Sequence, residues 1–207
     1  MIFTVAIDGP AAAGKGTIAK AIAAHFGFDY LDTGGLYRAI AKKVLDGMDP
    51  VAAAKALSAH DLARDGLRTA KVGQMASKIA AMPKVRLQLV TFQQTFARAT
   101  GGAVLDGRDI GTVICPQAEV KLFITANDTV RAHRRWLELV EKNPDLQEAD
   151  VLVQQRERDA RDSARATAPL LMAPDAVLLD TSEMSIEAAI KSACDLVTGV
   201  LAAQPRQ

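Results

Sequence analysis

The stretch Val5-Ala6-Ile7-Asp8-Gly9-Pro10-Ala11-Ala12-Ala13-Gly14-Lys15-Gly16-Thr17 decides how the rest of the chain is read. An apolar run over residues 2–7 reads as a strand, a turn of small residues follows, and an alanine-rich helical pattern continues to Phe26. Strand, glycine-bounded turn and helix in that order form the context of a phosphate-binding loop. Gly9 and Gly14 bracket the turn, and a backbone without Cβ atoms there lets N–H groups converge on an anion. The first helical turn adds unpaired N–H groups and the positive end of the helix dipole. Lys15 supplies a mobile charge for the outer phosphates, and Thr17 an oxygen for a magnesium ion or a phosphate. The general motif places Ser or Thr directly after the lysine, whereas here Gly16 intervenes and Thr17 follows. An ordinary turn with a solvated Lys15 is the plainer reading, but the match closes an apolar strand, and nucleoside phosphate binding explains that placement better.

The chain of 207 residues fits one large domain, or a core with a small appendage. Its 25 basic and 24 acidic side chains leave a formal charge of +1, so no general field draws in nucleic acid or acidic membrane, and any grip on an anion is local. Cys115 and Cys194 are isolated, without metal-ligand spacing or a disulfide framework. A reducing interior is the simple reading. The first apolar run is short and no basic region precedes it, and no apolar stretch approaches the roughly 20 residues of a membrane span. A cytoplasmic protein without membrane or nucleic-acid partners is expected, and nothing demands an oligomer.

Working outward, residues 28–31 read as a second strand ending in Asp32-Thr33-Gly34-Gly35, with a helix over residues 36–45. Thr33 either caps that helix or faces a ligand, and Arg38 either pairs with a phosphate or is an ordinary exposed arginine. Pro50 suits the first turn of a short helix to about Leu57. Apolar steps at Val72, Met75, Ile79 and Met82 predict a helix over residues 67–81. Pro83 separates it from a helix over residues 85–96 with Leu89, Phe92 and Phe96 on one face. Ser77 and Arg86 are the polar exceptions in this helical appendage.

A third strand over residues 103–105 ends in Asp106-Gly107-Arg108-Asp109. Three charges directly after an apolar strand are costly unless solvated or linked to a ligand. In chemical terms Asp106 suits a magnesium ion held through water, Arg108 a transferring phosphate, and Asp109 the orientation of a base or an arginine. Strands over residues 120–124 and 177–179 complete the set, with helices over 129–141, 151–161 and 185–201. Arg131, Arg134 and Arg135 read as a solvated face, one of them free to point inward. Arg158, Arg161 and Arg165 fall near one face of the next helix, where Arg158 and Asp162 also suit a plain helix pair. A mobile cover bringing arginines over an anionic substrate accounts for them best. The expected architecture is α/β, with five parallel strands covered by helices on both faces and three polar strand ends at one crevice.

Four motifs resemble the bacterial cytidylate kinases: the phosphate loop, residues 31–38, residues 106–112 and Glu157-Arg158-Asp159-Ala160-Arg161-Asp162. The likeness also covers residues 131–135 and 168–170 and extends over nearly the whole chain. It implies a P-loop nucleoside monophosphate kinase fold: a core over 1–32, 101–143 and 170–207, a helical monophosphate-binding region over 33–100 and an arginine-rich lid over 144–169. It implies transfer of the ATP γ-phosphoryl to CMP or dCMP with Mg²⁺. Residues Gly9, Pro10, Ala11, Ala12, Ala13, Gly14, Lys15, Gly16 and Thr17 would cradle ATP. Thr33, Tyr37, Arg38, Ser77, Arg86, Asp109 and Asp162 fall on acceptor positions, and Arg108, Arg158 and Arg165 on phosphate-gripping ones, with Lys15 among the catalytic groups. Two departures stand out: Ala12 occupies a usual glycine position, and residues 61–69 leave no room for the small β-rich insert of bacterial relatives. Another small-molecule kinase on the same fold, or a nucleotide-sensing regulatory or RNA-binding module, are the competing readings.

Overall fold

The computed structural model describes residues 1–141 and 143–204, so the expected core's residues 142 and 205–207 lie outside the described residues. Five strands form one fully parallel sheet: β1 Thr4–Asp8, β2 Asp29–Asp32, β3 Ala103–Asp106, β4 Val120–Thr125 and β5 Val177–Asp180. Their spatial order is β2-β3-β1-β4-β5. Every expected strand is present, with ends shifted by a residue or two. The order places β1 at the centre, bonded to β3 on one side and β4 on the other.

Alternation along the strands explains the two-faced burial. Phe3, Val5 and Ile7 join Val104 and Leu122 in a core under α1 (Lys15–Phe26) and the closing helix Ile186–Ala203. Ala6 and Leu105 face the opposite core, formed with α2 (Thr33–Leu45), α3 (Pro50–Lys55), α5 (Ala70–Ile79) and α6 (Pro83–Ala97), after a short α4 (Ala59–Leu62). Each buried Val, Leu or Ile contributes about 1.5–3 kcal/mol over its exposed state, which is why the central strands read as unbroken apolar runs.

Local chemistry sets the helix starts. Asp49 accepts from the N–H groups of Val51 and Ala52 ahead of Pro50. Thr69 caps α5, which begins three residues later than its periodicity suggests because Thr69 takes up a first-turn N–H. Asn127 caps α7 (Asp128–Val140), and α8 spans Glu148–Ser163. The β3 end is followed by a single π-helical turn, Ile110–Ile114, which no sequence period announces. On α6, Leu89 is buried but Phe92 is exposed. The expected apolar face therefore runs through Leu89, with Phe92 outside it.

Candidate active site

The carboxyl ends of β1, β2 and β3 lie level: Asp106 is the register partner of both Ile7 and Asp32. The ends of β2 and β3, the loop after β1, and α1, α2, α5, α6, α7 and α8 enclose a cleft of about 270 Å³. In doubly wound sheets this end, beside a reversal of strand order, is where ligands bind.

The loop after β1 forms one wall. Gly14 adopts a left-handed conformation before the free N–H groups of α1. Gly9 is required by contact as well as conformation: a Cβ there would lie 1.9 Å from the Ile124 carbonyl oxygen. Ala12 also sits in the left-handed region, at φ 58°, a conformation that costs an L-residue roughly 1–2 kcal/mol. Ala11, Ala12, Gly14, Lys15, Gly16 and Thr17 line the cleft, whereas Gly9, Pro10 and Ala13 are set behind it. Lys15 is 6% exposed and donates from Nζ to the Pro10 carbonyl at 2.6 Å. Burial, reinforced by Arg108, lowers its pKa well below the ordinary lysine value.

Asp32 caps α2 through the Gly35 N–H and pairs with Arg38. Thr33, which the sequence offered as a cap, instead donates its hydroxyl to the Asp106 carbonyl. That bond stitches the second strand end to the third. Tyr37 lines the cleft with a buried hydroxyl that makes no hydrogen bond of good geometry among the described residues. Arg86, from α6, pairs with Asp109 beyond β3 and also reaches the Ala80 carbonyl.

The α8 helix forms the opposite wall, built around Asp162. Ser77 donates to Asp162 at 2.6 Å, Arg108 lies at 3.1 Å, Arg165 at 2.9 Å and Arg158 at 3.8 Å. Burial alone would raise this carboxyl, but Arg108, Arg158 and Arg165 hold it below the usual value. Burial, and then repulsion from Arg108, takes Arg158 down to about 10. Burial also lowers Arg165. Burial is the larger cause for Lys15, Arg158 and Arg165, and repulsion from Arg108 adds to it in each. Arg161 turns away from this cluster toward Gln74 and Ser77, at 2.9 and 3.3 Å.

The α7 arginines are not a solvated face. Arg131 is buried, bonded to the Ala126 and Ala11 carbonyls and to Asp159. Arg134 reaches Thr181, and Arg135 lines the cleft and donates to the Arg68 carbonyl. Helical spacing could not show this, because most of the acceptors, at Ala11, Asp159, Thr181 and Arg68, lie far away in sequence. Gln155 and Gly73 are further lining residues that sequence reasoning missed.

A divalent metal has a compatible oxygen-only donor set. Asp106 and Thr17 both line the cleft, and Asp106 Oδ2 lies 3.9 Å from the position of a Cβ on Gly16. Burial, then the neighbouring Asp32, raises the Asp106 carboxyl, a penalty that a bound cation would relieve. Among the described residues there is no cluster of three or more His, Cys, Asp or Glu side chains able to hold a metal alone, which suits an ion shared with phosphates.

Sheet order, loop and cationic cleft together define a P-loop kinase fold. A sugar kinase from Janibacter sp. HTCC2649 shares it, with a TM-score of 0.52 at 15% identity over 100% of both chains. So does an uncharacterised protein from Eubacterium ventriosum, with a TM-score of 0.53 at 15% identity over 99% of this chain and 100% of that one. The cytidylate kinase family pattern matches residues 5–199. A cytidylate kinase of Cereibacter sphaeroides is 63% identical over 95% of this chain and 96% of its own. One of Rhodopseudomonas palustris is 52% identical over 98% and 99%. The chain belongs to the cytidylate kinase family.

Proposed function

We infer that this protein transfers the γ-phosphoryl group of ATP to CMP and dCMP, giving the diphosphates by direct in-line displacement. Family membership supports the activity. The observation that carries the site assignment is the crowding of Lys15, Arg108, Arg158 and Arg165 around one cleft, where burial, and then repulsion from Arg108, lowers the pKa values of Lys15 and Arg158, and burial that of Arg165. Groups in that state gain most from binding anions.

Phosphoryl transfer needs alignment and neutralisation of charge on the equatorial oxygens, and no covalent protein nucleophile. The loop over residues 9–17 wraps the ATP phosphates and offers them backbone N–H groups from its cleft-lining residues, with Lys15 swinging from the Pro10 carbonyl to the transferring group. Thr33, Tyr37 and Arg38 bind the acceptor. Ser77, Arg86 and Asp109 face the cytosine, Asp162 the sugar, and Arg108, Arg158 and Arg165 the phosphates. The Tyr37 hydroxyl, unpartnered among the described residues, gives one acceptor-side contact a motive. Thr17 and Asp106, the latter through water, would hold Mg²⁺, which supplies neutralisation of the phosphate charge when bound. An acceptor phosphate oxygen attacks directly, so no protein base is assigned.

Residues 1–32, 101–143 and 170–207 act as the core, 33–100 as the monophosphate-binding region and 144–169 as a lid that excludes water. We read the protein as a cytoplasmic monomer with small-molecule partners; the near-neutral charge provides no field to hold nucleic acid. Among the described residues no helix is long and apolar enough to cross a membrane.

Incubation with ATP, CMP and Mg²⁺, read by phosphorus NMR, tests this: CDP and ADP should form together. ATP hydrolysis without CDP would overturn it.

A further inference from the structure

The turn that carries Arg108 and Asp109 lies outside any regular strand or α-helix, yet its position is fixed. Ile110 N–H donates to Asp8 Oδ1 and Gly111 N–H to Asp8 Oδ2, each at 2.8 Å. Asp8 is the last residue of β1, directly before the phosphate loop, and is buried. One carboxylate thus takes the first two N–H groups of the π-turn, and both oxygens are used. Immediately upstream, Asp109 pairs with Arg86. Gly111 leaves the space this arrangement needs: a Cβ there would lie 3.4 Å from Asp8 Oδ2 and 3.2 Å from the Lys121 side chain.

We propose that Asp8 is a positioning residue for the acceptor side of the site, fixing the π-turn so that Asp109 and Arg86 are presented to the nucleotide base from the same strand end that holds the ATP loop. The inference rests on the reading of Asp109 and Arg86 given above. The charged groups around Asp8 are consistent with it. Asp109 from the turn opposes its ionisation, Lys15 from α1 favours it, and Lys121 of β4 is committed to Asp175. Among the described residues the hydrogen bonds of its carboxylate go to the turn, so the acceptor is where its loss should register.

The test is Asp8→Asn, which sets an amide NH₂ against one of the two N–H donors. Kinetics at about pH 8 keep the wild-type carboxylate ionised. Loss of a hydrogen bond to a charged acceptor should raise KM for CMP by about tenfold. KM for ATP should stay within about twofold. Amide hydrogen exchange at Ile110 and Gly111 should accelerate. If the variant does not fold, Gly111→Ala, which keeps the carboxylate but crowds it, should shift KM in the same pattern. Equal rises in both KM values, or unchanged exchange at the two amides, would overturn the proposal. A wild-type protein that leaves CMP untouched would overturn the reading of the site instead, and exchange would still decide whether Asp8 holds the turn.

Discussion

Arg86 and Asp109 form a buried ion pair between α6 and the turn after β3, with side chains only 5% and 8% exposed. Burial still raises the Asp109 carboxyl despite the guanidinium beside it. Arg86→Ala would strand that carboxylate, and breaking a buried pair typically costs about 3–5 kcal/mol. Urea unfolding should show a loss of this order, and KM for CMP should rise more than KM for ATP. Equal effects on the two substrates would reject Arg86 as an acceptor-side group.

Arg131 joins the phosphate loop to α8 by bonding the Ala11 carbonyl at 3.3 Å and Asp159 at 2.7 Å. Arg131→Met keeps the stem packing but removes the donor from these two acceptors and from the Ala126 carbonyl. A loss of about 1–3 kcal/mol in stability is expected, together with weaker ATP binding in calorimetry. Unchanged ATP affinity would show that the loop keeps its shape without this tie.

Ala12 adopts a left-handed backbone conformation in the loop. Replacing it by Gly removes roughly 1–2 kcal/mol of conformational cost and adds back roughly 0.5–1 kcal/mol of chain entropy. Ala12→Gly should therefore be slightly more stable in thermal melts. A clear drop in Tm would contradict this account of the position.

Asp8 has its carboxyl raised to about 7 by burial, against the ordinary aspartate value of 3.8. Between these values the folded chain binds more protons than the unfolded one, so this group's contribution to stability falls as pH rises and levels off above about 7. The difference in unfolding free energy between wild type and Asp8→Asn should decline across that window. A difference that stays constant would show that Asp8 ionises normally in the folded chain.

The sheet and its phosphate loop were legible because β1 combines an unbroken apolar run with glycines at a required spacing. Arg108, Arg158 and Arg165 were legible as charges that the crevice had to explain. What one sequence conceals is which backbone carbonyl an arginine meets. Arg131 looks like a solvated face residue until the loop folds beneath it and supplies the Ala11 oxygen. Asp8 was unreadable for the same reason, since its partners are two N–H groups of a π-turn about a hundred residues away. Thr33 was ambiguous between cap and site because Asp32, beside it, is an equally good cap and is the one used.

Lys15→Ala removes the buried cation at the head of the cleft. It should lower kcat by about a hundredfold or more, the scale of removing one electrostatic stabiliser of a transition state. Folding should be retained, because among the described residues its side chain's one hydrogen bond is to the Pro10 carbonyl. A variant of near-normal kcat would remove Lys15 from the transfer step.

The most direct measurement offers the purified protein ATP with CMP, dCMP, UMP, AMP or shikimate in parallel and follows ADP release and product identity. CMP and dCMP should be phosphorylated well ahead of the others, because Ser77, Arg86 and Asp109 are the groups we propose to read cytosine. Turnover of another acceptor while both cytidylates stay unphosphorylated would contradict the account.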